Sequence, residues 1–377
     1  MTKYAYKKFW MRAAAQSLDM LGALWPRGRT TLPDVKRLRV AVLRLDHLGD
    51  IICILPFLKQ LKIKMPSIHL TLITTPIGRV LLRDVPEIDD WFVFEPAWFS
   101  RDSRHQEWPL KAMRDIAAIL KRRSFDVSID LRGDVRHHLL MLWSHVAFRA
   151  SYGQTGGGFL LQRKLAWDPQ EHAVDKNLEF LSIFGDMPSL SEDDRIPVLP
   201  WRSKTADQAW FDAVIGRQPY RLYNVDAGTS AKRWPTENFG QLIAQMPADE
   251  GKAILVGQDT TLMQSFRSNV RDPRIINLVG KTSLPQLLIL LQHARAVISA
   301  DSGPAHMAAA LGTPVLVLWS GTSAPETWRP RGKNVQILQN PVPCQYCEES
   351  VCPVSGHPCM DKLSVARVLP IWRGMTA

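Results

Sequence analysis

The alternation of short apolar runs with helical segments constrains this fold more than any other feature. One stretch shows it clearly: the run Val297–Ala300 is followed by a loop at Asp301, a helical segment from Ala305 to Leu311, and a second apolar run from Pro314 to Leu318. Apolar runs without polar alternation are typical of strands buried on both faces. Strands that alternate with helices indicate a doubly wound parallel sheet. The sequence therefore predicts an α/β fold.

The loop at Asp301 has two interpretations. Ser302 is expected to cap the next helix, Pro304 suits its first turn, and Gly312 suits its C-terminal end. A loop between a strand end and a helix start is where α/β sheets bind phosphate. On residue types alone, the stretch is either such a phosphate loop or a packing unit whose serine and proline only mark the helix.

The same pattern runs through both halves of the 377-residue chain. The predicted strands lie at 40–43, 69–75, 91–95, 125–131, 150–152, 221–225, 253–256, 274–279, 297–300 and 314–318. A polar, proline-containing stretch at 191–200 separates the two series. We therefore predict one α/β domain at residues 38–198 and another at 199–343, preceded by a segment at 1–37 and followed by one at 344–377. Ligands are expected in a cleft at the carboxyl ends of the strands.

The leading segment is basic and apolar at once. Its first 39 residues hold nine Lys and Arg residues against Asp19 and Asp34, within a chain whose net charge is +11. Apolar residues recur at helical spacing at Trp10, Ala14, Leu18, Leu21 and Trp25. This pattern suits a helix lying on an anionic membrane surface, and we favour that interpretation over a helix packed on its own protein or a disordered basic tail.

Basic charge also raises nucleic acid as a partner, but no zinc-finger spacing, RNP signature or Arg-rich helix with interleaved aromatic residues accompanies it. We therefore expect no nucleic-acid partner. No apolar run approaches the ~20 residues that a membrane-spanning helix needs.

A carboxylate comes after the first predicted strand at a helix start. Asp50 stands directly after Gly49, where a helix N-terminus favours the ionised carboxylate. Facing a cleft, it could accept a proton from an attacking hydroxyl as a general base. The alternative is a first-turn aspartate that only complements the helix dipole, and Asp46 and His47 are nearby candidates for the same chemistry.

The second half carries a polar and basic loop, Gly228–Pro235, between a strand end and a helix start. Lys232 supplies a point charge for a phosphate, and Thr229 and Ser230 supply hydroxyl donors. The alternative is a solvated basic loop. Because this loop and the Asp301 loop should share one edge of the sheet, we favour phosphate binding.

Four of the five cysteines cluster near the end of the chain, in the spacing C-x2-C-x4-C-x6-C. They are Cys344, Cys347, Cys352 and Cys359, and Cys53 stands alone. The cluster is compact enough to close around one ion, and a structural zinc, an iron–sulfur cluster and plain thiols all remain open. Four thiolate ligands would leave no open position, so a catalytic metal is not expected.

Together these residues resemble the bacterial heptosyltransferases, the ADP-heptose:lipopolysaccharide transferases of glycosyltransferase family 9. The matching motifs, in the family's order, are RLDHLGDIICILP (44–56), DLRGD (130–134), AGTSAKRWP (227–235) and ADSGPAHMAAALGTP (300–314), and the end from Cys344 to Val365 looks like the cysteine-rich end of some members. The resemblance spans about residues 38 to 365. It implies a GT-B architecture, two Rossmann-like domains facing a cleft, and an inverting transfer that requires no divalent metal.

The resemblance also implies roles for individual residues. The catalytic aspartate of the family's Gly-Asp motif falls on Asp50, and its phosphate-contacting lysine falls on Lys232. Its donor-binding motif falls on Asp301, Ser302 and Gly303, with His306 alongside. Many members bind the ribose through a glutamate that this chain lacks, so Asp259 is the candidate substitute. Apart from the resemblance, Arg132, Arg136, His137 and His138 are either contacts for acidic acceptor sugars or solvated helix residues.

The expected partners are a nucleotide-sugar donor, with ADP-heptose the first choice, a lipopolysaccharide core acceptor, and the inner-membrane surface. The expected location is cytoplasmic, peripheral at the cytoplasmic face of the inner membrane, where anionic core phosphates would attract the basic helix. The alternatives are a GT-B transferase or epimerase that uses another nucleotide-sugar, and a non-catalytic glycan- or nucleotide-binding protein.

Overall fold

A computed structural model describes residues 9–22, 24, 31–33, 37–96, 110–216, 218–267 and 272–375. The chain divides into two compact units, one comprising Met1–Arg79 with Val85–Arg195 and the other Val80–Asp84 with Ile196–Ala377. Each unit is built on a six-stranded parallel sheet. The predicted α/β class with two parallel-sheet domains is confirmed.

The first sheet has the strand order β3-β2-β1-β4-β5-β6. Its strands are β1 (Arg39–Arg44), β2 (His69–Thr74), β3 (Asp90–Val93), β4 (Val127–Asp130), β5 (Phe148–Tyr152) and β6 (Arg163–Leu165). The helices up to Arg195 are α1 (Phe9–Gly22), α2 (Leu48–Ile52), α3 (Leu55–Lys64), α4 (Pro76–Leu81), α5 (Leu110–Arg122), α6 (Val135–Trp143) and α7 (Ala173–Glu179). β1 pairs with β4 so that Leu43 lies opposite Asp130. The loops after these two strands are therefore neighbours.

The second sheet has the order β12-β11-β10-β7-β8-β9. Its strands are β7 (Tyr220–Asn224), β8 (Lys252–Val256), β9 (Ile275–Asn277), β10 (Val297–Ala300), β11 (Val315–Trp319) and β12 (Val335–Gln339). The helices of this half are α8 (Thr205–Val214), α9 (Thr236–Ala244), α10 (Leu262–Arg267), α11 (Leu284–His293), α12 (Gly303–Ala310), α13 (Pro325–Trp328), α14 (Pro358–Asp361) and α15 (Val365–Gly374). Since β10 lies between β7 and β11, the loops after these three strands share one edge.

Helix α15, which the sequence pattern did not predict, completes the core of the second domain. Val368 and Trp372 are fully buried in the same apolar cluster as Phe239. The Trp372 indole N–H donates to Tyr223 Oη at 3.1 Å. The buried Arg221 donates to the Trp372 carbonyl at 2.7 Å, so polar contacts also fix the end of the chain against β7.

The predicted N-terminal helix is present as α1, and it contacts the first domain through its small side chains. Ala15 is buried against Gly156, and Asp19 Oδ1 accepts a 2.8 Å hydrogen bond from the Gly157 N–H. Its large apolar side chains are exposed, 83% for Phe9 and 64% for Trp10. Trp25 and the side chain of Leu21 lie outside the described residues.

None of the helices within the described ranges is long and apolar enough to cross a membrane.

Candidate functional site

In the first domain a buried arginine fixes Asp50. Arg44, the last residue of β1, donates to Asp50 Oδ1 at 3.0 Å and to the Leu131 carbonyl at 2.8 Å. Asp50 and Gly49 lie in the first turn of α2, where Asp50 keeps 19% of its side chain exposed. The carboxylate is thus oriented by a cation and still open to a reactant.

Asp46 is the second carboxylate of this cluster. It lies 3.4 Å from Arg44 Nε and accepts a 2.7 Å hydrogen bond from Arg132 Nη1. Burial, together with the negative charge of Asp50, raises the pKa of Asp46 to about 6, although both arginines oppose the shift. Burial lowers the pKa of Arg44, but Asp46 and Asp50 outweigh it and raise that pKa overall. Arg44 therefore stays charged beneath Asp50.

The loop that carries Arg132 is organised by Asp130, which is fully buried at the end of β4. Its carboxylate accepts hydrogen bonds from the backbone N–H groups of Arg132 (3.1 Å), Gly133 (2.8 Å) and Asp134 (3.0 Å). His137 Nδ1 lies 2.8 Å away. Burial opposes ionisation of both partners, but their mutual attraction lowers the pKa of Asp130 and raises that of His137. A buried ion pair therefore supports the loop.

His137 and His138 are neither acceptor contacts nor solvated helix residues, the two interpretations that the sequence left open. Their side chains are 1% and 0% exposed, because α6 turns both rings toward the buried Asp130. Arg136 forms an ion pair with Asp134 at 2.5 Å. Arg132 and Arg136 keep 31% and 24% of their side chains exposed, so a ligand can reach both, and Arg132 also bonds Asp46.

In the second domain the two predicted loops meet. Lys232 Nζ lies 2.5 Å from Asp301 Oδ2, which places a lysine from the loop after β7 against the carboxylate at the end of β10. Ser323, from the loop after β11, donates to the same oxygen at 3.2 Å. Ser323 was missed in the sequence, since a lone serine beyond the motif gives no signal.

Ser302 occupies the N-cap position of α12, but the predicted capping hydrogen bond is absent. Its hydroxyl instead lies 3.2 Å from the Ala300 carbonyl and 3.0 Å from Ser299 Oγ. Asn224 Nδ2 donates to both serine hydroxyls, at 3.2 Å to Ser302 and 3.0 Å to Ser299. The first turn of α12, which begins at Gly303, thus lacks a cap from Ser302. Asn224 instead links the end of β7 to the end of β10 through its hydrogen bonds to the two serines.

His306 is a neutral neighbour of the Lys232–Asp301 pair. Burial, aided by the positive charge of Lys232, lowers the pKa of His306 to about 4 against the opposing effect of Asp301.

Thr229 Oγ1 is buried without a hydrogen-bond partner among the residues described. Ser230 Oγ donates to the Ser350 carbonyl at 3.3 Å, so it serves the loop structure.

Asp259 lies after β8 and is held by several donors. Arg233 Nη1 is 3.0 Å from its Oδ2 while Arg233 Nη2 reaches Asp226 at 2.9 Å. Hydrogen bonds from Thr261, with help from Arg233, lower the pKa of Asp259. The side chain is an ionised carboxylate at the carboxyl edge of the sheet, and 30% of it is exposed.

All four clustered cysteines line one cavity together with His357. Its other walls come from Ala231, Gly321, Thr322 and prolines of the same segment. Cys344, Cys347, Cys352 and Cys359 are free thiols, and Cys53 is buried in the first domain. As the side chains stand, no set of three or more His, Cys, Asp or Glu residues in the described parts of the chain is arranged to hold a metal ion.

Comparison with known proteins identifies one family. The profile of glycosyltransferase family 9 (heptosyltransferase) matches residues 113–357. A relative, lipopolysaccharide heptosyltransferase 3 of Escherichia coli, is 23% identical over 295 residues, which are 76% of this chain and 84% of that protein. A solved glycosyl transferase family 9 protein of Veillonella parvula has a TM-score of 0.78 at 19% identity, covering 92% of this chain and 99% of that one. E. coli heptosyltransferase WaaC with ADP has a TM-score of 0.66 at 20% identity, covering 89% and 99%.

Replacing Asp130 by asparagine removes the charge that pairs with His137 and aims an amide N–H₂ at backbone donors. We expect Asp130→Asn to lower the free energy of unfolding of the first domain by about 3–5 kcal/mol, since one buried charge loses its partner. Urea denaturation measures the change, with Asp115→Asn on the exposed face of α5 as the matched control. Equal transition midpoints for the two variants would contradict the assigned role.

The same pair gives this difference a pH dependence. His137, with a raised pKa, contributes stability that is present below its unfolded pKa of ~6.5 and is lost as the pH rises through the folded pKa. Asp130, with a lowered pKa, contributes stability that is present above ~3.9 and is lost as the pH falls through the folded pKa. The difference in free energy of unfolding between wild type and Asp130→Asn should be largest between about pH 3.9 and pH 6.5, and it should narrow as the pH rises above or falls below that range.

Proposed function

The chain belongs to glycosyltransferase family 9, the heptosyltransferases, and on that basis we propose that it transfers a heptose from ADP-heptose to a hydroxyl of the lipopolysaccharide inner core. The named relatives support the choice of reaction, since one is a lipopolysaccharide heptosyltransferase and another was solved with ADP. The observation that carries the proposal is the Lys232–Asp301 pair at the carboxyl edge of the second sheet, where an α/β domain binds phosphate.

The second domain holds the donor in this proposal. Lys232 and the N–H groups at the start of α12, from Gly303 onward, bind the diphosphate and stabilise the charge that develops as ADP departs. Asp301 positions Lys232 and contacts the sugar with Ser302. Thr229 and Ser230 line the same loop, and His306 stays neutral, so it adds no charge to the anion site.

The ribose of the donor is assigned to Asp259. Its carboxylate lies after β8 and is kept ionised and oriented by Thr261 and Arg233, as a hydrogen-bond acceptor for ribose hydroxyls must be. Asp259 thus takes the role of the ribose-binding glutamate that many family members have and that this chain lacks.

The first domain supplies the base and the acceptor contacts. Asp50 takes the proton of the acceptor hydroxyl as its oxygen forms a bond to the anomeric carbon and the bond from that carbon to the ADP oxygen breaks. Arg44 orients Asp50, and Gly49 leaves room beside it because it has no side chain. Arg132 binds an anionic group of the acceptor with the exposed part of its guanidinium. No step requires a metal ion.

We expect Asp50→Asn to lower kcat by about 10²- to 10⁴-fold, the usual contribution of a general base, with little change in affinity for ADP. ADP release with purified acceptor measures turnover, and calorimetry with ADP measures affinity. Asp46→Asn is the control, because Asp46 is tied to Arg44 and Arg132. Turnover lost in Asp46→Asn and retained in Asp50→Asn would assign the base to Asp46 instead.

The peripheral location is also part of the proposal. α1 presents Phe9, Trp10, Leu18 and Met20 to solvent, Leu24 beyond its end is also exposed, and the leading segment is rich in basic residues. Exposed aromatic and aliphatic side chains within a basic segment suit an anionic bilayer surface. We therefore place α1 at the cytoplasmic face of the inner membrane, where the lipid-linked acceptor lies.

Replacing Phe9 and Trp10 by glutamine should weaken binding to vesicles that contain anionic lipid by tenfold or more, since burial of an aromatic side chain contributes roughly 1.5–3 kcal/mol. Vesicle sedimentation at two salt concentrations measures the effect. Val198→Gln, which removes another exposed apolar side chain, should leave binding unchanged. Equal binding of wild type and the double variant would rule out the surface formed by α1.

For the cysteine cluster we propose a structural metal ion held by Cys344, Cys347, Cys352 and Cys359. The support is the donor set, four free thiols that line one cavity in compact spacing. A zinc ion or an iron centre would stabilise the local fold and supply no catalysis, since four thiolates leave no open position. Binding requires the thiols to turn toward a common point.

Elemental analysis of the purified protein should find about one zinc or iron equivalent per chain, the stoichiometry of a four-thiolate structural site. Cys347→Ser should lose it because one ligand is removed. Cys53→Ser should retain it, since Cys53 is buried elsewhere. A metal-free wild type, or a Cys347→Ser variant that keeps the metal, would rule out this site.

A further inference from the structure

The segment that carries the clustered cysteines, residues 344–359 (the cysteine segment), is hydrogen-bonded to the loop that presents Lys232. The Ser350 carbonyl accepts from the Ala231 N–H at 3.1 Å and from Ser230 Oγ at 3.3 Å. His357 Nε2 lies 2.9 Å from the Ala231 carbonyl, to which it donates. Both backbone polar groups of Ala231, the residue before Lys232, are therefore bound to the cysteine segment.

The same segment also binds the loop that supports Asp301. The Tyr346 N–H donates to the Gly321 carbonyl at 2.6 Å, and the Glu348 N–H donates to the Thr322 carbonyl at 2.9 Å. Ser323, the next residue of that loop, donates to Asp301. The cysteine segment thus connects the loops on both sides of the Lys232–Asp301 pair.

The backbone of the segment adopts unfavourable conformations to make these contacts. Tyr346, Glu348 and His357 have φ angles of 64°, 54° and 34°, in the left-handed region that side chains disfavour. Such conformations persist where the surrounding structure holds them, and they cluster at functional sites. The segment is therefore held in an energetically unfavourable conformation. That conformation makes the hydrogen bonds to the loop of Lys232 and to the loop of Ser323.

We propose that the cysteine segment positions the diphosphate site, and that His357 is its main positioning residue. This inference rests on the proposed donor site at Lys232. His357 fixes the Ala231 carbonyl and so the direction in which the chain enters Lys232, whose long side chain must meet the donor in one geometry. His357 touches neither donor nor acceptor, and it acts through Ala231.

Two variants of His357 distinguish the effect of its hydrogen bond to Ala231 from the effect of the imidazole ring itself. Glutamine places an N–H donor near the position of Nε2, whereas asparagine tolerates the left-handed conformation but is too short to reach Ala231. We expect His357→Asn to raise the Kd for ADP and the KM for the donor by about 3- to 10-fold, the value of one hydrogen bond. In His357→Gln, the Kd for ADP and the KM for the donor should stay within about twofold of the wild-type values. kcat at saturating donor should be unchanged in both.

Hydrogen–deuterium exchange of the ADP-free protein gives a second readout that does not depend on activity. Exchange in residues 227–234 should be faster in His357→Asn than in wild type and should be restored in His357→Gln. Wild-type affinity and exchange in His357→Asn would overturn the proposal. Equal losses of affinity in both variants would also overturn it, because the Nε2 donor would then not be the cause.

The experiment distinguishes failure of this inference from failure of the proposed function. ADP binding and exchange report on the second domain whether or not heptose is transferred. A wild type that binds ADP and transfers no heptose counts against the proposed function alone. The metal content of His357→Asn should equal that of wild type, since His357 is not one of the proposed ligands.

Discussion

Parallel strand pairing is the constraint on which both halves of this molecule depend. It places the carboxyl ends of neighbouring strands side by side, so that residues far apart in sequence meet at one edge of the sheet. In the first domain the pairing of Leu43 with Asp130 brings the segment that leads to Asp50, in the first turn of α2, beside the loop that holds Arg132. In the second, β10 between β7 and β11 brings Lys232, Asp301 and Ser323 together. The strands are mostly apolar, and the residues that carry the chemistry lie at their carboxyl ends and in the segments that follow.

The two edges handle their charges differently. Arg44, Asp46 and Asp130 are nearly or fully buried, and each has an oppositely charged partner, because an isolated buried charge would cost several kcal/mol. Arg44 pairs with Asp46 and Asp50, and Asp130 pairs with His137. Lys232 is more open, with 27% of its side chain exposed, although Asp301 beside it is buried. A closed network suits groups that orient a base, while an accessible cation suits the binding of an anion that arrives and leaves.

The sequence predicted ten of the twelve strands in the described residues, all but β6 and β12, and the motifs at their ends, because burial and loop chemistry are local signals. Asp301 and Lys232 were expected near each other, and the topology places them in contact. The hydroxyl of Ser302 could not be assigned, since its partner Asn224 is 78 residues away. His137 and His138 were misjudged because only the fold reveals that α6 faces the buried Asp130. α15 escaped notice because part of the core that it completes comes from β7 and β8, more than 100 residues earlier in the chain.

The packing of α1 against the first domain limits which substitutions this protein can tolerate. Gly156 and Gly157 have φ angles of 88° and 75°, and a Cβ at Gly157 would stand 2.7 Å from a methyl carbon of Val135 and 3.4 Å from His138. Val135 begins α6, whose first turn carries His137, the partner of Asp130. A side chain at Gly157 would therefore press on the helix that supports the Arg132 loop, whereas one at Gly156 would stand 3.2 Å from the Cβ of Ala15 and press on α1. The two glycines lie between the surface helix and the interior of the first domain, and a substitution at either one would displace the side that it faces.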